Sequence, residues 1–127
     1  MSNLRLATMR SWHEANTFLG KRDSKKVGHN TYARRIARLT EEDEGVEYDI
    51  AIRYHSTDIV TYHPDGSITL NTGGWDTTTT TNRMQMLTPA HVWVDRQGGT
   101  VNVTDRLSVK VWSGIHNLTL TPPVNAG

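Results

Sequence analysis

Residues 57–83 read TDIVTYHPDGSITLNTGGWDTTTTTNR, and this stretch carries the strongest structural signal in the 127-residue chain. Its centre predicts a tight turn, because Pro64 presets the backbone for the first corner position and Asp65 suits the second. Gly66 then supplies the left-handed residue of a type I turn with a glycine bulge. The two flanking segments are therefore predicted to form a β-hairpin.

Counting outward from the turn predicts which residues of the hairpin face each other. The cross-strand pairs are His63–Ser67, Tyr62–Ile68 and Val60–Leu70. Side chains alternate between the two faces of a strand, so Tyr62, Ile68, Val60 and Leu70 share one apolar face, which supports this register. The other face is predicted to be polar apart from Ile59, and it carries Ile59, Thr61, His63, Thr69 and Asn71.

Helical periodicity predicts one helix on each side of the hairpin. The first covers about residues 8–19 and is followed by Gly20 as a C-terminal cap. Its apolar stripe consists of Met9, Trp12, Ala15 and Leu19. The second begins near residues 79–81 in the threonine run, includes Arg83, and is stopped by Pro89.

Alternation of apolar and polar residues predicts strands through most of the remaining chain. The strictest alternation covers residues 46–55, and an acidic turn ending at Gly45 joins this strand to one over residues 31–39. Further strands are predicted over residues 92–95, 100–104 and 107–111. The tail, with Leu118 and Leu120, is expected either to add an edge strand or to dock on a neighbour.

These elements predict an α+β fold dominated by β structure, with an antiparallel sheet of about six or seven short strands and two short helices. The length fits a single domain covering residues 1–127. Within it we distinguish an N-terminal helix and basic connector (1–30), the signature hairpins, loop and short helix (31–87), C-terminal strands (88–121) and a tail (122–127).

Composition restricts the classes of function. The chain has no cysteine, which excludes disulfides and cysteine-based zinc sites. No segment resembles a signal peptide or approaches the ~20 apolar residues of a membrane span, so no membrane association is expected. Hydrophobic residues make up 35% of the chain, below the usual globular share. We therefore expect a thin core that a homo-oligomer interface completes.

The net charge of +1 conceals an uneven distribution of charge. Residues 1–40 carry nine basic and two acidic side chains, a sum of +7, whereas residues 41–127 carry five basic and eleven acidic ones, a sum of −6. This division suggests a nucleic-acid partner for the first third of the chain, or its docking on the acidic remainder. The candidate nucleic-acid contacts are Lys21, Arg22, Lys25, Lys26, Arg34 and Arg35.

The loop after the hairpin has the composition of a phosphate-binding site. Paired glycines allow backbone amides to face an anion, threonine hydroxyls add donors, and Arg83 supplies a guanidinium fork. Trp75 offers a surface on which a flat ring stacks. The candidate ligand-binding residues are Asn71, Gly73, Gly74, Trp75, Thr77, Thr78 and Arg83. The alternative is a tight strand-to-helix connection with a buried tryptophan and a capped helix.

Catalytic and metal-binding signatures are weak. The six histidines include no metal-binding spacing, and no nucleophile elbow, dinucleotide fingerprint or reactive thiol is present. A His/Asp site built from His55, His63 and Asp58 is the best enzymatic candidate. We expect no catalytic activity, no metal and no cofactor.

The strings TDIVTYHPDG at 57–66, LN at 70–71 and GGW at 73–75, with the threonines and Arg83 that follow, resemble a family of small proteins of tailed bacteriophages. NTY at 30–32 and the strand over residues 50–55 extend the resemblance to roughly residues 20–87. The resemblance is mainly to actinobacteriophage proteins. It implies a phage origin and a location in the host cytoplasm, and it carries no activity with it.

Three functions follow in order of preference. The first is a non-enzymatic binding protein for a phosphate-bearing ligand, either a nucleotide signal or nucleic acid, with a role in countering host defence. The second is a structural or accessory protein of the phage particle, with a host or phage protein as partner. The third is a small hydrolase using the His/Asp site.

Overall fold

The described part of the chain forms two helices and nine strands. In this computed structural model the described residues are 9–37, 48–73, 78–89, 92–97, 100–105, 108–112 and 118–120. The helices are α1 (Trp12–Leu19) and α2 (Thr78–Leu87). The strands are β1 (Ser24–Gly28), β2 (Thr31–Ala37), β3 (Tyr48–Tyr54), β4 (Thr57–Tyr62), β5 (Ile68–Leu70), β6 (Val92–Gln97), β7 (Thr100–Asp105), β8 (Ser108–Trp112) and β9 (Leu118–Leu120).

The strands form two antiparallel sheets. The larger has six strands in the order β1-β2-β3-β4-β5-β9, and the smaller has three in the order β6-β7-β8. This architecture confirms the predicted β-dominated α+β class. The predicted pairing of the strands around residues 31–39 and 46–55 is also confirmed as β2–β3. The tail provides the edge strand β9, which pairs with β5.

The hairpin of β4 and β5 has the register that the turn chemistry predicts. Tyr62 pairs with Ile68 and Val60 with Leu70. At the turn, the N–H of His63 donates to the carbonyl of Ser67 over 3.0 Å. Gly66 has φ 94°, the left-handed backbone that favours glycine.

The basic connector predicted over residues 21–30 contains a strand, β1, so this part of the prediction is wrong. Ser24–Gly28 pairs with β2 at the edge of the larger sheet. An edge strand is hydrogen-bonded on one side only, and the exposed Lys26 there discourages pairing with other chains. Only Val27 of this strand is buried, so its sequence lacks the alternation of a half-buried strand.

The first helix begins later than the predicted residue 8. Ser11 is its N-cap, and the Ser11 hydroxyl accepts a hydrogen bond from the backbone N–H of Glu14 over 3.2 Å. The carboxylate of Glu14 in turn accepts from the backbone N–H of Arg10 over 3.2 Å. The second helix is close to its predicted limits, since it covers Thr78–Leu87.

The helices pack on one face of the larger sheet and form a single core with it. This face carries the apolar side chains of the β3, β4 and β5 strands, together with Ala33 of β2. The core residues are Met9, Ala15, Leu19, Val27, Ala33, Ile50, Ile52, Ile59, Val60, Tyr62, Ile68, Leu70, Met84, Leu87, Val92, Val94, Val101, Val103 and Leu120. Burial of each large aliphatic side chain in such a cluster contributes ~1.5–3 kcal/mol.

A β-bulge in β4 changes which face Ile59 occupies. Ile52 pairs with Val60 and Arg53 with Asp58, so Ile59 is the additional residue. Ile59 is 1% exposed and belongs to the core. Its predicted place on the polar face is therefore wrong, because the simple alternation assumed there does not hold across a bulge.

The Tyr62 side chain connects the sheet to both helical segments. Its hydroxyl lies within hydrogen-bond distance of the Met9 carbonyl (3.2 Å) and the Leu87 carbonyl (2.5 Å). Burial, reinforced by the charge of Glu14 and partly offset by Arg10, raises the pKa of Tyr62 above its ordinary value. The hydroxyl therefore remains a donor to these two buried carbonyls.

Tyr62→Phe should lower the free energy of unfolding by about 1–3 kcal/mol, because the two carbonyls lose their shared donor while the ring packing is retained. Urea unfolding followed by circular dichroism measures this change. Tyr32→Phe is the matched control, since Tyr32 is 44% exposed, and it should change stability by less than about 0.5 kcal/mol. Equal effects of the two substitutions would contradict the role of Tyr62.

Candidate functional site

The predicted ligand-binding loop begins with a closed turn. The Asn71 side-chain oxygen accepts a hydrogen bond from the N–H of Gly73 over 2.6 Å. Gly73 has φ 65°, and a Cβ added there would lie 2.5 Å from Oγ1 of Thr57. A glycine is required by this backbone conformation and by the close approach of Thr57. The amide of Gly73 is thus engaged within the loop.

The remaining predicted ligand residues divide into two groups. Gly74, Trp75 and Thr77 lie outside the described residues. Thr78 is the first residue of α2, and Arg83 lies further along the same helix. The structure does not bring Asn71 and Gly73 into one cavity with Thr79 and Thr80 of α2. Asn71 and Gly73 border one cavity, and Thr79 and Thr80 border another.

A cavity of about 520 Å³, which we call the threonine cavity, lies between the β3–β4 turn and the start of α2. It is lined by Tyr54, His55, Ser56, Thr57, Ile59, Thr72, Thr79 and Thr80. Its volume is within the range of small-molecule sites, and its lining combines the Tyr54 ring and Ile59 with several hydroxyl groups. The sequence prediction missed Tyr54, Thr72, Thr79 and Thr80 because their proximity depends on the packing of α2.

Arg83 does not itself line this cavity but is buried against Tyr54, which does. It is 4% exposed, and its guanidinium lies 4.3 Å from the ring centre of Tyr54, which lines the cavity. Its Nε donates to Oγ1 of Thr31 over 3.2 Å, and Nη2 donates to the His29 carbonyl over 3.4 Å. Nη1 is buried without a hydrogen-bond partner. In the part of the chain that the structure describes, no carboxylate forms an ion pair with Arg83.

His55 lines the threonine cavity and has an uncommon backbone conformation. Its φ is 56°, and its N–H donates to the Asn30 carbonyl over 2.9 Å. Its ring centre lies 4.3 Å from that of Tyr54. Left-handed backbone at a residue other than glycine costs of order 1–3 kcal/mol and is often found at functional sites.

The residues of the predicted His/Asp site border two different cavities, since His55 lines the threonine cavity whereas Asp58 and His63 line another one. Asp58 is held by Nη2 of Arg34 at 2.7 Å and by Nε of Arg53 at 3.3 Å. The bulge in β4 places Asp58 on the same face as these two arginines.

His63 has different partners. Its Nδ1 lies 2.9 Å from Oδ1 of Asp49, and its Nε2 lies 2.7 Å from Oγ1 of Thr69. These side chains occupy the sheet face opposite the helices. A second cavity of about 570 Å³, which we call the polar cavity, opens there and is lined by Ser56, Thr57, Asp58, Thr61, His63, Thr69, Asn71 and Gly73. Among the described residues, no cluster of three His, Cys, Asp or Glu side chains is arranged to hold a metal ion.

Three of the predicted nucleic-acid contacts have structural roles. Arg34 is paired with Asp58. Arg35 joins α1 to β2 by donating to Oδ1 of Asn16 and to the Gly20 carbonyl, both over 2.9 Å, and to the Arg22 carbonyl. Lys25 donates to the Phe18 carbonyl over 3.2 Å and lies 4.4 Å from the centre of the Phe18 ring.

The side chains of the other three predicted contacts, Lys21, Arg22 and Lys26, are exposed. They remain the candidates for a polyanion contact, and a nucleic-acid role for them stays a prediction. A surface with three cations attracts phosphate less strongly than one with six, because each phosphate contact contributes separately to affinity. Within the described residues, no helix has the length and apolar character of a membrane span.

Comparison with known proteins gives a family match over most of the chain. Residues 2–106 match the family model described as Kyanoviridae Gp96 protein. The matched span includes Arg83, His63 and the helix that borders the threonine cavity. No curated protein and no solved structure matches the chain.

Gly73→Ala should lower the free energy of unfolding by about 2–4 kcal/mol, from left-handed strain together with overlap of the new Cβ with Thr57. In a Thr57→Ala background the cost should fall by about 1–2 kcal/mol, because two of the three overlapping atoms are gone. A double-mutant cycle in urea measures the coupling. A cost that is identical in both backgrounds would show that backbone strain alone requires glycine.

Proposed function

Because the chain belongs to the Kyanoviridae Gp96 protein family, a family of phage proteins, we propose that it is a binding protein for a small anionic ligand of the nucleotide type. Family membership confirms the phage origin that the resemblance implied. The actinobacteriophage source, the homo-oligomeric state and the host-cytoplasmic location remain parts of this proposal. The threonine cavity is the proposed site, and the protein is proposed to act without catalysis there.

The observation that carries the proposal is the buried charge of Arg83. A cation removed from water is costly unless an anion and hydrogen-bond acceptors compensate it. The ring of Tyr54 and two neutral oxygens supply part of that compensation, and Nη1 is left without a partner. A bound phosphate or carboxylate would supply the missing negative charge and an acceptor for Nη1.

The lining of the cavity fits the rest of such a ligand. Thr79 and Thr80 lie in the first turn of α2, where backbone N–H groups and the helix dipole favour an anion. The rings of Tyr54 and His55 and the side chain of Ile59 provide a surface for a flat, partly apolar group. A nucleotide combines these two features in one molecule.

Of the ligand-binding residues predicted from the sequence, the proposed site retains Arg83. It adds Tyr54, Thr72, Thr79 and Thr80. Asn71 and Gly73 are proposed to shape the loop through their mutual hydrogen bond. Roles for Gly74, Trp75, Thr77 and Thr78 in holding the ligand remain predictions from the sequence.

An accessory role in the phage particle is the runner-up and is compatible with family membership. It would require a surface that neighbouring proteins cover. Among the residues that the structure describes, the exposed large hydrophobic side chain is Tyr32. The described surface thus lacks the extended apolar patch typical of such interfaces, and we place the binding function first.

Addition of AMP at millimolar concentration should raise the thermal unfolding temperature of the purified protein, because the ligand binds the folded state alone. Inorganic phosphate and adenosine, tested separately, distinguish capture of the anion from capture of the ring. Native mass spectrometry at low salt counts the bound molecules and the subunits. The proposal fails if AMP, ADP, adenosine and phosphate all leave the unfolding temperature unchanged.

Arg83→Met should weaken AMP binding at least about tenfold, since it removes a charge-assisted contact of at least ~1.4 kcal/mol. The free energy of unfolding without ligand should stay within about 1 kcal/mol of the original, because loss of the cation–π contact and of the hydrogen bonds to Thr31 and His29 is offset by removal of an uncompensated charge. Arg83→Ala is less suitable, because truncating a side chain that is 4% exposed leaves a cavity.

Arg53→Met is the matched control, because Arg53 lies on the opposite face of the sheet and pairs with Asp58. It should leave AMP binding unchanged. A protein that binds a single-stranded oligonucleotide in a salt-dependent way, loses this with Lys21→Ala and Lys26→Ala, and is insensitive to Arg83→Met would instead be a nucleic-acid-binding protein.

A further inference from the structure

A row of polar side chains crosses four strands on the face opposite the helices. Because Ile50 pairs with Tyr62, the next position outward places Asp49 opposite His63. Thr69 is opposite Thr61 and therefore diagonal to His63. Thr119 of β9 is opposite Thr69, and the two hydroxyl oxygens are 3.0 Å apart. The row thus runs Asp49, His63, Thr69, Thr119.

The chemistry of these groups fixes the direction of the hydrogen bonds. An ionised Asp49 carboxylate accepts only, so Nδ1 of His63 carries the proton across the 2.9 Å contact. In the neutral imidazole, Nε2 is then an acceptor, and the Thr69 hydroxyl donates to it across 2.7 Å. With its proton engaged there, Thr69 accepts from the hydroxyl of Thr119.

We propose that Asp49, His63 and Thr69 form a relay that hydrolyses small esters bound in the polar cavity, with Thr69 as nucleophile, His63 as general base and Asp49 as the carboxylate that positions the base. The arrangement has the three roles of a hydrolase triad: a nucleophile in contact with a base, and a carboxylate that orients the base. Both His63 and Thr69 line the polar cavity, so the reacting oxygen borders a space for substrate.

The reaction takes place in two balanced steps. In the first, Oγ1 of Thr69 bonds to the acyl carbon of the ester while its proton passes to Nε2 of His63, and the alcohol leaves with that proton. In the second, water adds to the acyl-threonine as His63 takes its proton. The carboxylic acid then departs, and the hydroxyl of Thr69 is restored. Asp49 stabilises the imidazolium in both steps and is a positioning residue.

The lining of the polar cavity indicates which esters fit. Its side chains are hydroxyls, a carboxamide, an imidazole and the Asp58 carboxylate. These groups favour an ester whose alcohol part carries several hydroxyls. Thr61 faces Thr69 directly in the register and also lines the polar cavity, so its hydroxyl is the proposed donor to the oxyanion. This activity is independent of the proposed ligand site, although Ser56 and Thr57 border both cavities.

The test uses p-nitrophenyl acetate with the full-length protein, followed by release of nitrophenolate and by peptide mass spectrometry. We expect an acetyl group on Thr69 after rapid quenching. Thr69→Val should abolish this adduct, and Thr69→Ser should retain it on the serine. His63→Asn should slow acylation at least about 100-fold, the usual contribution of a general base. Asp49→Asn should lower kcat by about 100-fold or more with little change in KM.

Tyr32→Phe is the control, because Tyr32 is 44% exposed on β2 and does not line the polar cavity. It should keep the adduct and change the acylation rate less than about threefold, a change below 1 kcal/mol. Urea unfolding of each variant verifies that it is folded. Nitrophenolate release that persists in folded Thr69→Val, or an adduct confined to His63 or lysines, would overturn the assignment of Thr69. Absence of any Thr69 adduct in the wild type and of any serine adduct in Thr69→Ser would overturn the relay itself.

Discussion

The register of the β4–β5 hairpin is the constraint on which the two faces of the larger sheet depend. Gly66 closes the turn in a backbone conformation that other residues rarely adopt, and this sets Tyr62 opposite Ile68. A slip of one residue would exchange the faces of both strands. Tyr62 would leave its carbonyl partners in the core, and Thr69 would leave His63. The core and the polar row therefore require the same register.

The hairpin was predictable because its determinants are local. Pro64, Asp65 and Gly66 specify the turn, and alternation specifies the register. Strand β1 was not predictable in this way, because Ser24–Gly28 becomes a strand only by pairing with β2. Its alternation is weak since a single side chain of this edge strand is buried. The formation of β1 therefore depends on long-range pairing, which the local sequence does not reveal.

In the candidate sites, too, the features set by local sequence were predictable and those set by long-range packing were not. Arg83 was singled out from its place in the helix, but its burial against Tyr54 depends on how α2 packs on the sheet. His63 and Thr69 were assigned to one face from the hairpin alone. Asp49 was not identified as their partner, because the pairing of β3 with β4 includes a bulge that alternation does not reveal.

The bulge at Ile59 determines which face of the sheet carries the Asp58 carboxylate. Without the additional residue, Arg53 would face Ile59, and Asp58 would be turned toward the helical face. With it, Asp58 joins Arg34 and Arg53 on the polar face, and Ile59 becomes part of the core and of the threonine cavity. The carboxylate is thereby kept from the side on which Arg83 is buried. Among the described residues, Arg83 is therefore left with neutral partners, and the threonine cavity lies on the other side of the contact with Tyr54 as the place where we propose that an anion binds.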